Sequence, residues 1–274
     1  MEAFIIIRKR VSLIGAGSMG GALVTGFVRN GLVAPDDVLL SDPNRDAVAA
    51  LAAQLRVRIA GDNRQAAGEA EIVVCAVKPY QIKKVLEEIA SLMTPDRLLI
   101  SVAAGVSTSF LEANLPSGAP VIRAMPNIPA LVGEGMTGLS LGKHAGPRDG
   151  DDAEQLFKAV GRVVTVPEAN IDAVTGLSGS GPAFLAVILE ALADGGVMMG
   201  LTRQTALELA VQTMLGTARV IQTSGEHPAA LKDRVSSPGG TTIAGLHVLE
   251  EGGLRGLLMS AVAASAEKAA ALEV

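Results

Sequence analysis

The segment Gly15-Ala16-Gly17-Ser18-Met19-Gly20 follows a short apolar run, Val11-Ser12-Leu13-Ile14, and opens a stretch with helical spacing. A G-x-G-x-x-G pattern between a strand and a helix is the setting in which it signals a dinucleotide. Gly15 permits the tight turn, Gly17 lets the backbone approach a pyrophosphate, and Gly20 lets helix and strand pack closely. The first amides of the helix have no intrahelical partners and can donate to phosphate oxygens. The competing reading is an ordinary strand-to-helix turn without a ligand. The complete spacing in this context favours the dinucleotide.

Three further segments carry polar groups at places where chemistry is expected. Ser41-Asp42 ends the second strand, about 20 residues beyond the glycine loop, where an acidic residue accepts from the ribose 2′-OH of NAD. Arg45 follows closely and could face a 2′-phosphate instead, so NADH and NADPH both stay open on these residues. Asp42 could also serve only as a carboxylate at a helix N-terminus. Ala76-Val77-Lys78-Pro79 closes a buried apolar strand, at the edge where open α/β sheets bind ligands. Ser236-Ser237-Pro238-Gly239-Gly240-Thr241-Thr242 places hydroxyls and two glycines just before a helix. That combination makes a nest of N–H donors suited to a carboxylate, or a plain N-cap by Thr241 or Thr242.

Other chemistries are excluded. There is no G-x-x-x-x-G-K-[ST] motif. Gly176-Leu177-Ser178-Gly179-Ser180 misses the nucleophile elbow, because Ser180 stands where glycine is required. His144, His227 and His247 are far apart and have no cysteine partner, so no metal site is expected. Five Phe, one Tyr and no Trp leave few platforms for stacking bases, and a net charge of −5 argues against a nucleic-acid partner. The single cysteine, Cys75, cannot close an internal disulfide, which fits a reducing, cytoplasmic setting. The start, Met1 to Arg10, has its charges after its apolar run, unlike a signal peptide.

These residues need a frame, and the apolar patterning supplies one. Short apolar runs at 11–14, 38–40, 71–77, 98–102, 120–124 and 137–141 alternate with helical stretches at 20–30, 46–55 and 82–92. Such alternation predicts βαβ units and a doubly wound parallel sheet. Beyond about residue 166 the pattern becomes helical: 171–199, 203–224, 228–236, 241–251 and 254–272. We therefore expect two domains, residues 1–166 and 167–274. Residues 182–200 contain Glu190 and Asp194 and read as a buried helix of a soluble protein, not a membrane span. The C-terminal helices are apolar around most of their circumference, which predicts an oligomer built through them. All of the net charge falls in 166–274, with 6 basic and 11 acidic residues, so an anionic substrate there needs local donors.

Taken in order, these motifs resemble the pyrroline-5-carboxylate reductase family. The matching segments are 15–20, 76–79, Ser101 to Val106, Ile122 to Asn127, Gly176 to Ala183, Glu190 to Gly195, and His227 through Ile243. The resemblance implies an N-terminal Rossmann domain and an all-α C-terminal dimerisation domain. It also implies hydride transfer from NADPH or NADH to C5 of the cyclic imine (S)-1-pyrroline-5-carboxylate, giving L-proline. The resemblance further implies a homodimer through the C-terminal helices, with dimers often assembled into decamers as pentamers of dimers. The dinucleotide is then expected at Gly15, Ala16, Gly17, Ser18, Met19, Gly20, Ser41, Asp42, Asn63, Ala76, Val77, Lys78, Pro79, Val102, Ala103 and Ala104. The substrate is expected at Glu168, Ser237, Pro238, Gly239, Gly240, Thr241 and Thr242, with Thr242 catalytic beside the ring nitrogen. Ser18 stands where Asn is common, and Arg234 where some members carry an Asn that touches the cofactor.

Overall fold

A computed structural model describes residues 7–272. The first part of the N-terminal apolar run therefore lies outside the described residues. The chain forms two compact units: residues 1–180 together with 264–274, and residues 181–263.

The first unit is built on eight strands: β1 Val11–Ile14, β2 Val38–Ser41, β3 Arg58–Ile59, β4 Ile72–Cys75, β5 Leu98–Ser101, β6 Val121–Met125, β7 Gly135–Leu141 and β8 Gly161–Thr165. Their order is β3-β2-β1-β4-β5-β6-β7-β8. Strands β1, β2, β4 and β5 are buried along their whole length, as expected of a sheet covered on both faces. The sheet is parallel as expected except at one pair. Strand β7 runs antiparallel to β6, because only residues 126–134 join them, and a parallel crossover needs a dozen or more residues.

The helices of this unit are α1 Ser18–Arg29, α2 Arg45–Leu55, α3 Asn63–Glu69, α4 Pro79–Ile89, α5 Thr108–Ala113, α6 Pro147–Lys158 and α7 Ile171–Val174. Helix α1 buries Leu23 and Phe27, and Phe27 meets Phe157 of α6 edge to face, 6.4 Å between ring centroids. Gly31, at φ 68°, follows its end as the spacing predicts. Chain order sends β1 to β2 and β3 on one side, then β4 to the other. The crevice between the carboxyl ends of β1 and β4 is thus the switch point of the sheet.

Residues 168–180 group with the sheet by contact, although the helical pattern begins near 166. Val174 packs against Gly138 of β7, and the Asn127 side chain donates to the Ser178 carbonyl at 2.9 Å. Within this stretch Thr175–Gly179 forms a π-helical turn, with Ser180 N donating to Thr175 O at 2.9 Å.

The second unit holds α8 Gly181–Met198, α9 Arg203–Ser224, α10 Pro228–Arg234, α11 Thr241–Glu251 and most of α12 Leu254–Ala270. Gly225, at φ 67°, caps α9, and Pro228 occupies the first turn of α10. Here one expectation is corrected: α8 is not buried within the chain. Ala193 is its one buried residue among those described, and with Ala206 and Ala210 it forms a small core where Gly196 admits Ala206. Met198 and Met199 are 86% and 84% exposed. Glu168–Met198 is also long and apolar enough, by length and composition, to cross a bilayer.

Candidate dinucleotide site and substrate loop

A cavity of about 450 Å³ opens at the switch point. Gly15, Gly17, Ser41, Asp42, Asn63, Ala76, Val77 and Lys78 line it, all of them expected from the sequence. Ala16, Ser18, Met19, Gly20, Pro79, Val102, Ala103 and Ala104 are not among the lining residues. Met19 and Val102 pack onto the core, Ala103 is buried within it, and Pro79 is the first residue of α4. Gly20 lies so close to the Gly15 carbonyl that a Cβ there would collide with it.

The two remaining loop glycines have different tasks. Gly15 sits at φ 103°, and a Cβ on it would fall 2.6 Å from the Ala76 carbonyl oxygen. Gly17 precedes α1 with no side chain capping the helix, and a Cβ on it would meet nothing within 4 Å. Gly17 therefore faces free space, beside first-turn amides that no side chain satisfies. This cradle fits a pyrophosphate group.

The sequence reading has Asp42 accept from a ribose hydroxyl. Asp42 lines the cavity, and its carboxylate also takes part in the local wiring: Oδ2 accepts from Ala16 N at 2.7 Å and Oδ1 from Asn44 N at 2.8 Å. It ties the glycine loop to the loop after β2, and the cap of α2 is Asn44, not Asp42. Arg45 donates to the carbonyls of Ala60 and Gly61, so its guanidinium staples the turn after β3. Ser41 Oγ donates to Asn63 Oδ1 at 2.7 Å, and Asn63 Nδ2 donates to Glu88 Oε2 at 2.7 Å. Lys78 N donates to Gln81 Oε1 at 3.3 Å. Asp62, Gln81, Lys84, Val85 and Glu88 line the cavity without having been foreseen. The helical spacing of Gln81, Lys84, Val85 and Glu88 on α4 was the available signal. Cys75, at the end of β4, is fully buried, and burial pushes its thiol up to about 12.

Glu168 belongs to an ion-pair cluster of the first unit built around the buried Arg123. Its Oε1 accepts from Arg123 at 2.9 Å and from Thr108 N at 3.2 Å, and Arg123 also donates to Asp172 at 3.2 Å. Arg123 is 2% exposed, and Glu168 Oε2 is buried without a partner. The expectation placed Glu168 on the substrate. Its observed partners fasten residues 168–172 to β6.

In the second unit, Ser237–Gly240 forms a turn with Gly240 N donating to Ser237 O at 3.1 Å and Gly239 at φ 65°. Gly240 precedes α11, and no side chain caps it, so neither Thr241 nor Thr242 acts as the N-cap. The first-turn amides are left for another acceptor. Ser236 Oγ donates to Lys232 O at 2.6 Å and anchors the loop to α10. His227 caps α10 by accepting from Ala229 N at 3.2 Å, and Arg234 pairs with Glu226 at 2.8 Å.

Comparison with known proteins gives matches to two families along the chain. Residues 168–272 match the pyrroline-5-carboxylate reductase dimerisation family, and residues 10–105 match the family of coenzyme F420-dependent NADP oxidoreductases. Pyrroline-5-carboxylate reductase from Methanosarcina acetivorans is 45% identical over 260 residues, 95% of this chain and 96% of the relative. The Arabidopsis thaliana enzyme is 43% identical over 262 residues, 94% of each chain. The structure of a pyrroline-5-carboxylate reductase from Coxiella burnetii superposes with a TM-score of 0.93 at 37% identity, over 98% of this chain and all of that one. The Plasmodium falciparum pyrroline carboxylate reductase, crystallised with NADP bound, gives 0.88 at 30% identity over 98% of this chain and all of that one. The dimerisation-family match and relatives 43–45% identical over nearly the whole chain show that this chain belongs to the pyrroline-5-carboxylate reductase family.

Proposed function

We propose that this protein reduces (S)-1-pyrroline-5-carboxylate to L-proline with NADPH as the principal donor and NADH as a second one. The observation that carries the reading is the open face of Gly17 beside the uncapped start of α1, within a cavity at the switch point of the sheet. The bound nicotinamide supplies the hydride for C5 of the imine. The chain's part is alignment, which can lower a barrier by several kcal/mol. First-turn amides of α1 hold the pyrophosphate. The loop Ser237-Pro238-Gly239-Gly240-Thr241 presents backbone amides to the substrate carboxylate, and the Thr242 hydroxyl hydrogen-bonds the ring nitrogen. A protonated imine brings its own proton, so no side chain has to act as a general acid.

In this reading residues 1–166 carry the cofactor, and residues 167–274 carry the substrate loop and the subunit contact. The exposed Leu185, Val187, Leu192 and Met198 of α8 make that contact in a homodimer, which assembles further into a decamer. Glu190 and Asp194 within α8, the latter paired with Arg203 at 2.5 Å, suit a subunit interface better than a bilayer. The setting is the cytoplasm, where Cys75 stays reduced.

The test is direct. Purified protein is mixed with pyrroline-5-carboxylate and NADPH or NADH, and absorbance is followed at 340 nm. Consumption that requires both components supports the reading, and cofactor binding without turnover refutes it. Thr242→Val is expected to fold and to lose most of kcat. Unchanged turnover would remove Thr242 from its role.

A further inference from the structure

We infer that Glu88 is a positioning residue that sets how the adenosine end of the cavity discriminates a ribose 2′-hydroxyl from a 2′-phosphate. The inference rests on the dinucleotide reading of the cavity. Glu88 projects from α4, and its Oε2 lies 2.7 Å from Asn63 Nδ2. A carboxylate only accepts hydrogen bonds, so the amide nitrogen of Asn63 has to face it. The amide oxygen is then turned the other way, toward Ser41, 2.7 Å from its hydroxyl. Facing an acceptor, Ser41 has to spend its one proton on Asn63. What Ser41 offers the cavity is therefore a lone pair.

The polarity of the chain is thus dictated from its far end, by a residue that is not at the end of β2. Ser41 closes β2, the strand end where the ribose of a dinucleotide is read. A lone pair there suits a hydroxyl, which can donate, and opposes a phosphate, which can only accept. Two neighbours reinforce this. The Asp42 carboxylate adds negative charge at the same place, and the Arg45 guanidinium is turned onto the Ala60 and Gly61 carbonyls. To take a 2′-phosphate, the Asn63 amide has to leave Glu88 and turn over. Its NH2 then faces the phosphate side, and the Ser41 proton is released to donate. Lys84, one turn before Glu88 and lining the same cavity, is a cation available to a phosphate there. Glu88 therefore acts as a brake on NADPH relative to NADH, applied through Asn63.

NADPH and NADH are titrated separately into wild type, Glu88→Gln, Glu88→Ala, Asn63→Ala and the Glu88→Ala/Asn63→Ala double variant, with melting temperatures recorded. Removing the carboxylate is expected to tighten NADPH relative to NADH by about tenfold, the size of one hydrogen bond to a charged group. Glu88→Ala gives the full shift and Glu88→Gln a smaller one, since Gln retains an acceptor. In the Asn63→Ala background the Glu88 substitution should leave the ratio unchanged. An unaltered ratio in a stably folded Glu88→Ala protein overturns the inference. So does a shift that persists without Asn63, because a direct charge effect of Glu88 on the phosphate would explain it. If wild type binds neither dinucleotide, the reading of the cavity itself falls.

Discussion

The glycine loop offers a substitution that should separate folding from binding. Gly17 has φ −68° and ψ −170°, dihedrals open to any residue, and its Cβ would enter free space. Replacing it by Ala restricts the unfolded chain, which stabilises by about 0.4–1 kcal/mol. It also replaces a good N-cap by a poor one, at a cost of about the same size. The two effects nearly cancel, and the melting temperature should stay within about 4 °C of wild type. Binding should not survive so well. The new methyl group occupies the approach of a pyrophosphate to the backbone, and one charge-assisted hydrogen bond is worth about 1.5–3 kcal/mol. The dissociation constant for NADPH should rise about ten- to a hundredfold. Gly15→Ala is the contrasting case. Its φ of 103° is strained for any side chain, and its Cβ would press on the Ala76 carbonyl, which is backbone and cannot step aside. Strain of this kind is about 1–3 kcal/mol before the collision is added, so this variant should melt more than about 6 °C lower. The assay is thermal denaturation beside fluorescence titration with NADPH. If Gly17→Ala binds NADPH as wild type does, or if it melts as low as Gly15→Ala, the division of roles is wrong.

Other substitutions probe the remaining wiring. Arg123→Met leaves Glu168 and Asp172 without their shared cation, and should lower stability to urea by about 3 kcal/mol, the low end for a buried pair because both carboxylates keep some solvent. Asp42→Asn retains an acceptor for only one of Ala16 N and Asn44 N. It should cost about 1–3 kcal/mol and weaken NADPH and NADH together, measured by melting and titration. Cys75 should resist alkylation at pH 8 in the native protein and react promptly in urea. Its thiol is raised in the folded state, so its contribution to stability is complete below about pH 9 and is lost as pH rises toward about 12. Cys75→Ala should flatten that alkaline decline in melting temperature.

Backbone-level features of the fold and site were legible in the sequence because each rests on a local rule. Gly15 and Gly17 announce a turn and an approach, Gly31 and Gly225 end their helices, and the apolar run before Ala76 marks a strand covered on both faces. Elements resting on two residues or on mixed signals were not legible. Strand β3 has only Arg58 and Ile59, and α6 begins Pro-Arg-Asp-Gly-Asp-Asp, which reads as a loop. The antiparallel turn into β7 depends on how few residues join it to β6, which the alternation of elements does not express. The exposure of α8 has a related cause: its uniform apolarity states that it must be covered, and sequence alone does not say whether the cover lies within the chain or outside it.

The polar contacts of the site were the least legible, and the reason is physical. Asp42 stands where a ribose acceptor is expected, and its oxygens also answer two backbone amides, one in the glycine loop and one two residues along its own loop. A side chain's type states what it can bond to, while tertiary position decides which partner reaches it first. The direction of a hydrogen bond travels further still. The proton on Ser41 is assigned by a carboxylate 47 positions along the chain, through the side-chain amide of Asn63 at the start of α3. A motif can therefore place Ser41 and Asn63 at the cofactor and remain silent on whether they donate or accept there. Cofactor preference in this fold depends on that second property, which makes Glu88 more informative about it than the acidic residue at the end of β2.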